Sequence, residues 1–297
     1  MAFTAQNVKE LREITGCGMM DCKKALTETD GDMDKAVEFL REKGLATAAK
    51  KAGRIASEGI VTIYMSDDKK VAAMIEVNSE TDFVAKNDEF MTFVNNTAKI
   101  VAEKNPADVE ALKALTYETE TVGEKLTALI AKIGENMSIR RFARVEGNVC
   151  SYIHGGGRIG VIVETETALD TDDKYEAARD VAMQVAAINP LYVSKDVVPA
   201  EDVEKEKHII IAQIKEDPKN ASKPDAIIEK MVGGKINKFY EQNCLLQQEF
   251  VKDGEFKVEK YLETKGVKLV NFTRFEKGEG LEKKEENFAD EVASMIK

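Results

Sequence analysis

The 297-residue sequence predicts an α+β fold built from small units, and three observations carry that prediction. First, β-branched apolar runs come in pairs joined by short turns: Ile60-Val61-Thr62-Ile63-Tyr64 and Val71 to Val77 flank Ser66-Asp67-Asp68-Lys69-Lys70. Second, stretches of helical period lie between and after these pairs. Third, the strand–turn–strand–helix order occurs twice. Glu58-Gly59-x-Val61-x-x-Tyr64 is matched by Glu146-Gly147-x-Val149-x-x-Tyr152, an offset of 147 − 59 = 88, and Ile75-Glu76 matches Val163-Glu164 at the same offset. The helices that follow end in Asn105-Pro106 and Asn189-Pro190. Two related units follow from this repeat, each with a small antiparallel sheet because a short turn joins its strands.

In chain order, residues 1–54 read as a module of three short helices and a linker. Val8, Leu11 and Ile14 keep helical spacing and Gly16 stops the run. Met19-Met20 opens the second helix, with Asp21 in its first turn where an anion suits the dipole. Asp30-Gly31-Asp32 breaks it, and Met33, Ala36, Val37 and Leu40 stripe the third, which Gly44 is expected to end. Ala46 to Arg54 is small and basic, a linker whose alanines also suit continued helix. Residues 55–145 form the first unit, with a helix over about 88–103, two amphipathic helical stretches over 108–133 and a strand over 138–145. The second unit spans 146–193 and 244–275. It is interrupted at 194–243 by two charged helices, about 200–214 and from Asp225, broken at Asp217-Pro218-Lys219 and Lys223-Pro224; they predict a projecting helical hairpin. Val203, Ile210 and Ile214 form its seam and need a partner, the other arm or another molecule. The strand Lys268 to Phe275 closes the second unit. Residues 276–297 read as a linker and a final helix with Phe288, Val292 and Met295 on one narrow face, which should rest on a partner or on the body.

Composition limits the function. With 43 Lys and Arg against 54 Asp and Glu, the net charge of −11 opposes binding to DNA phosphates or an anionic membrane. No apolar run approaches the ~18 residues of a membrane span, and the charged start lacks the apolar core of a signal peptide. Four scattered cysteines without a CxxC pair and two distant histidines are a poor supply for zinc. A reduced, cytoplasmic protein without metal or cofactor is expected.

Two segments invite a chemical reading. His154-Gly155-Gly156-Gly157 is like the oxyanion loop of some esterases, but no GxSxG companion exists; the alternative is a glycine-rich hairpin turn matching Ser66 to Lys69. Asn78-Ser79-Glu80-Thr81-Asp82-Phe83-Val84-Ala85-Lys86-Asn87 lies between a strand and a helix. Either Phe83 plugs the local core and Asp82 or Asn87 caps the next helix, or the loop is an exposed wedge, an apolar ring beside a carboxylate.

Thr81-Asp82-Phe83-Val84, with Ser79-Glu80 before it and Ala85-Lys86-Asn87 after, strongly resembles the signature loop of the translation elongation factor Ts family. So does Val8-Lys9-Glu10-Leu11-Arg12 with Thr15-Gly16-Cys17-Gly18-Met19-Met20-Asp21-Cys22-Lys23-Lys24-Ala25-Leu26. His154 to Gly160 and Phe275 to Lys283 are also similar to family segments. The resemblance implies a ubiquitin-associated-like N-terminal module, a core of two subdomains, a helical-hairpin insertion and a C-terminal helical module. It implies guanine-nucleotide exchange on elongation factor Tu by protein–protein binding rather than enzymatic catalysis. Thr81, Asp82, Phe83 and Val84 would be the wedge, Met19 and Met20 a contact to the GTPase domain, and His154, Gly155 and Gly156 a contact to another domain. Phe250 and Val251 resemble a further contact, although Gln248-Glu249-Phe250-Val251-Lys252 departs from the family's commoner Gln-Pro-Phe-Val-Met. Only some members self-associate through the hairpin, so a homodimer or 2:2 complex stays open. The rival reading is a passive adaptor or chaperone-like binding protein.

Overall fold

A computed structural model describes residues 3–15, 17–217 and 223–283. Three helices come first: α1 (Ala5–Thr15), α2 (Met19–Glu28) and α3 (Met33–Lys51). They close a small core of Val8, Leu11, Cys22, Ala25, Leu26, Ala36 and Leu40. The Asp32 side chain caps α3 by accepting from the Lys35 amide at 3.0 Å. Gly16, the expected end of the first helix, lies outside the described residues.

Gly44 does not end α3. It is buried inside the helix, where its missing side chain lets α3 approach the later helix α6 (Val122–Ile133); a Cβ there would stand 3.6 Å from that of Ala131. Packing against α6 outweighs the low helix propensity of one glycine, ~1 kcal/mol, and the alanines carry the helix on to Lys51.

The first sheet has the order β1 (Glu58–Met65), β2 (Val71–Ser79), β5 (Met137–Glu146), all antiparallel. Between β2 and β5 run α4 (Asp88–Lys104), α5 (Val109–Lys113), a hairpin of β3 (Thr116–Tyr117) and β4 (Glu120–Thr121), and α6. The hairpin replaces part of the helix expected over 108–133. Thr116, Tyr117, Thr119 and Thr121 favour extended backbone; Tyr117 is buried, its ring 5.7 Å from that of Phe93 and its hydroxyl accepting from Asn96 at 3.0 Å. The second sheet repeats the plan: β6 (Asn148–His154), β7 (Ile159–Thr165) and β10 (Leu269–Glu276), in the order β10-β7-β6, with α7 (Asp172–Ile188) after the central strand. Asn105 and Asn189, φ 48° and 52°, close α4 and α7 in the left-handed conformation asparagine tolerates.

The insertion is α8 (Ala200–Glu216) packed on α9 (Asp225–Asn243), with Ile210, Ile214 and Ile236 buried between them, so the opposite arm is the seam's partner. The break expected at Pro218-Lys219 lies outside the described residues. The hairpin of β8 (Glu249–Phe250) and β9 (Asp253–Lys257) and helix α10 (Val258–Thr264) then lead to β10.

Each sheet buries both faces. Ile60, Ala73, Ile75 and Val77 pack with Phe90, Phe93, Val94 and Leu126 of α4 and α6, while Val161 and Val163 pack with Val181, Val185, Val258 and Leu262 of α7 and α10. The other faces meet through Val61, Ala72, Met74, Val149, Ile162 and Phe275. The result is a helix–sheet–sheet–helix stack, which is why β2 reads as an almost unbroken apolar run. The helix expected around Phe288, Val292 and Met295 lies outside the described residues.

Candidate functional site

The segment between β2 and α4 is held from three sides. At its root the buried Ser79 hydroxyl donates to the Thr81 carbonyl at 2.8 Å. At its far end the Asn87 side chain accepts from the Glu89 and Phe90 amides at 3.0 and 3.1 Å, capping α4. Between these, Val84 is buried in the first core and opens a single helical turn, Val84–Lys86. Val84, rather than Phe83, is therefore the local plug.

That arrangement turns Phe83 outward. Phe83 is 75% exposed, an unusual place for a ring whose burial stabilises by ~1.5–3 kcal/mol. Beside it the Asp82 carboxylate meets Lys86 at 3.1 Å, and the same ammonium stands 5.6 Å from the Phe83 ring centroid. An apolar ring and a carboxylate thus share one rigid, solvent-facing corner.

The third side is a pair of carboxylates that sequence reasoning did not single out. Glu135, just after α6, accepts from the Thr81 amide at 2.9 Å and from its hydroxyl at 2.8 Å. Glu80, on the loop, accepts from the Asn136 amide at 2.6 Å and pairs with Arg54 at 3.4 Å. Each of two neighbouring loops therefore supplies the acid that satisfies the other's amide. No local pattern announces this, because Thr81 and Glu135 are 54 residues apart.

The remaining site residues lie on other elements. Met19 and Met20, 59% and 75% exposed, begin α2. Lys43 pairs with Asp21 beside them, and α3 reaches the first unit through Arg41–Glu124 (2.7 Å) and a bond from Lys51 to the Gly134 carbonyl. His154, Gly155 and Gly156 are exposed at the turn between β6 and β7, with His154 Nδ1 3.0 Å from the Tyr152 hydroxyl. The hairpin-turn reading holds. Gly157 is buried there because its carbonyl accepts from the Val61 amide at 2.8 Å, and a Cβ at φ 95° would overlap Ile60 at 2.2 Å. Phe250 belongs to the second core at 3% exposure, stacked 4.1 Å from Tyr261, whereas Val251 is 51% exposed. These patches sit on α2, on the β6–β7 turn and just after β8, on elements other than the loop that bears Phe83.

The comparisons identify the family. A model described as elongation factor TS matches residues 80–279. The chain belongs to the elongation factor Ts family. It is 54% identical over 306 residues to elongation factor Ts of Clostridium kluyveri, covering 99% of both chains. It is 55% identical over 303 residues to that of Clostridium perfringens, again over 99% of each. Against that of Clostridium novyi it is 54% identical over 305 residues, covering 99% of this chain and 98% of the relative. Its role is accordingly in translation elongation. Among the described residues no helix is long and apolar enough to cross a membrane.

Proposed function

We propose that this protein is the guanine-nucleotide exchange factor of elongation factor Tu, acting in the cytoplasm, and that Phe83 carries the exchange. The observation behind this reading is the exposed Phe83 ring on a braced corner beside Asp82. Met19 and Met20 bind the GTPase domain, and His154, Gly155 and Gly156 reach another domain of the same partner. Val251 extends that contact, since Phe250 is committed to the core.

The mechanism is linkage with no covalent step. A factor that lowers the partner's affinity for GDP must be bound less tightly by the GDP form, in equal measure. Insertion of Phe83 displaces the elements that hold the partner's magnesium and phosphates, and GDP and magnesium leave so that GTP can rebind. Each tenfold acceleration needs ~1.4 kcal/mol, and burying one Phe supplies ~1.5–3 kcal/mol. Phe83 accounts for about ten- to a hundredfold on that scale, and the wider interface must supply any larger acceleration.

The test is release of a fluorescent GDP analogue from elongation factor Tu with catalytic amounts of this chain. Acceleration at substoichiometric concentration is expected, and Phe83→Ala should slow exchange more than it weakens binding. Binding without acceleration would make the protein a passive adaptor, and equal losses in Phe83→Ala would reduce Phe83 to an ordinary anchor.

A further inference from the structure

The corner behind Phe83 is built by two loops that exchange carboxylates, and the first helical module ends at the same place. Glu135 accepts both the amide and the hydroxyl of Thr81, while Glu80 accepts the amide of Asn136. Arg54, just beyond α3, pairs with Glu80 through its guanidinium, and its carbonyl accepts from the Asn136 side chain at 2.8 Å. Lys51, the last residue of α3, donates to the Gly134 carbonyl immediately before Glu135. The short run 134–136 therefore ties together the loop that bears Phe83 and the end of α3, the helix after the one that Met19 and Met20 open.

We propose that Glu135 is a positioning residue for the wedge, a role that rests on the exchange reading above. A ring this exposed, with the Lys86 ammonium 5.6 Å from its centroid, has little packing of its own to fix its direction. Its direction must come from the backbone on either side. Toward the C-terminus Val84 and the Asn87 cap fix that backbone; toward the N-terminus the bidentate grip of Glu135 on Thr81 does. A carboxylate suits the task, because both of its oxygens accept and two donors fix its plane. Glutamine at 135 can keep the amide on its oxygen and donate its NH2 to the Thr81 hydroxyl, so it retains the two-point grip but loses the strength of the charged acceptor. The residue touches neither nucleotide nor partner in this role; it sets where Phe83 stands before the encounter, so that binding spends less on ordering the loop.

The chain contains no Trp, so Phe83→Trp in the full-length protein places a single fluorophore on the wedge. Time-resolved anisotropy of that variant reads local ring motion in the free chain, with no partner present. Adding Glu135→Ala should enlarge the fast component of the decay, Glu135→Gln should enlarge it less, and Glu263→Ala, which removes an exposed ion pair with Lys260 on α10, should leave it unchanged. An anisotropy decay that Glu135→Ala does not alter overturns the proposal, whatever the exchange assay shows. On the natural Phe83 background Glu135→Ala should lower the maximal exchange rate about tenfold with KM changed less than about twofold, as expected when a charged hydrogen bond that orients but does not bind is lost. Thr81→Val should cost about threefold alone and nothing further when combined with Glu135→Ala, since the hydroxyl's acceptor is already gone. A loss confined to KM, or fully additive losses, overturns the positioning role. If the unmodified chain fails to accelerate GDP release at all, the exchange reading falls, and the anisotropy result still decides whether Glu135 orders the loop.

Discussion

In both units the last residue of the central strand bonds forward across the turn: the Ser79 hydroxyl donates to the Thr81 carbonyl at 2.8 Å, and the Thr165 hydroxyl to the Thr167 carbonyl at 2.8 Å. In both, a polar side chain then caps the helix, Asn87 for α4 and Thr171 for α7. What lies between differs. In the second unit a main-chain bond closes the junction before β10: the Glu166 amide donates to the Lys268 carbonyl at 2.9 Å, joined by the Lys268 amide on Thr167 Oγ1 at 3.0 Å and an exposed Lys268–Glu166 ion pair at 2.5 Å. Leu169 follows and packs against the second core. In the first unit the same junction is bridged by glutamate side chains, and between the bridged Thr81 and the core plug Val84 stand Asp82 and an outward Phe83. One frame thus serves two purposes. Where a main-chain bond closes the junction the loop lies down, and where glutamates accept the neighbouring loop's amides it presents a ring.

The largest test of this comparison is at the central strands, where Glu76 and Glu164 occupy matching positions. Glu76 is fully buried, with Oε1 accepting from Arg140 at 3.0 Å, Asn78 at 3.1 Å and the Gly278 amide at 2.8 Å, and Oε2 from Arg141 at 2.7 Å. A bulge lets neighbouring arginines reach one carboxylate: Glu76 pairs in register with Arg141 and Val77 with Ile139, leaving Arg140 as the extra residue. Glu164 is only half-buried and has no ion pair among the described residues. Glu76→Ala removes the buried acceptor shared by Arg140, Arg141, Asn78 and the Gly278 amide, although both arginines keep a bond toward Glu276 or Glu279; the loss should cost about 3–5 kcal/mol in a urea titration, whereas Glu164→Ala should stay within about 0.5 kcal/mol. The pH dependence follows the same division. Burial alone would raise the Glu76 carboxyl, but the Gly278 amide, Arg141, Asn78 and Arg140 outweigh it and hold the group below the ordinary 4.5. A depressed carboxyl stabilises the fold above its unfolded value and loses that contribution as pH falls through the folded one. Stability should therefore decline as pH drops from 4.5, and Glu76→Gln should flatten the decline; parallel pH profiles for the two proteins would sink this account.

A smaller effect separates the two glycines that open the repeats. Gly59 and Gly147 both have positive φ, 110° and 134°. A Cβ at Gly147 would find nothing closer than Glu164 Oε1 at 3.6 Å, but at Gly59 it would strike the Val77 carbonyl at 2.1 Å. Gly147→Ala should cost the backbone strain alone, about 1–3 kcal/mol. Gly59→Ala should cost clearly more, because the obstacle is main chain of the partner strand. Thermal melts of the two variants check this, and equal shifts would mean that β1 moves aside.

Much of this was legible in the sequence, and the reasons are local. The repeat, the strand pairs, both Asn C-caps and the hairpin arms are written in residues that are neighbours along the chain. The loop between β2 and α4 was legible as alternatives, and the structure takes one part from each: Asn87 caps α4, while Val84 is buried and Phe83 exposed. What stayed hidden depends on distant partners. Gly44 signals a helix end until Ala131 is seen against it. Phe250, a contact only by resemblance to the family segment, is buried with Tyr261 stacked on its ring. Glu135 looks like any solvated acid until Thr81, far back in the chain, is placed beside it.

The finest contrast sets the two loop residues themselves against each other. Leu169 is half-buried on the second core, so Leu169→Ala should destabilise the fold by about 1–2 kcal/mol, below the roughly 2–5 kcal/mol of a fully buried leucine. Phe83 touches little of its own protein, so Phe83→Ala should change the unfolding free energy by less than about 0.5 kcal/mol although it deletes the larger side chain. Paired urea titrations compare them directly. A ring that stabilises its own fold is a plug, and one whose removal the fold does not register is held out for something else. Should Phe83→Ala destabilise as much as Leu169→Ala, the two loops would be doing the same job, and the difference drawn between carboxylate-bridged and main-chain-sealed junctions would carry no functional meaning.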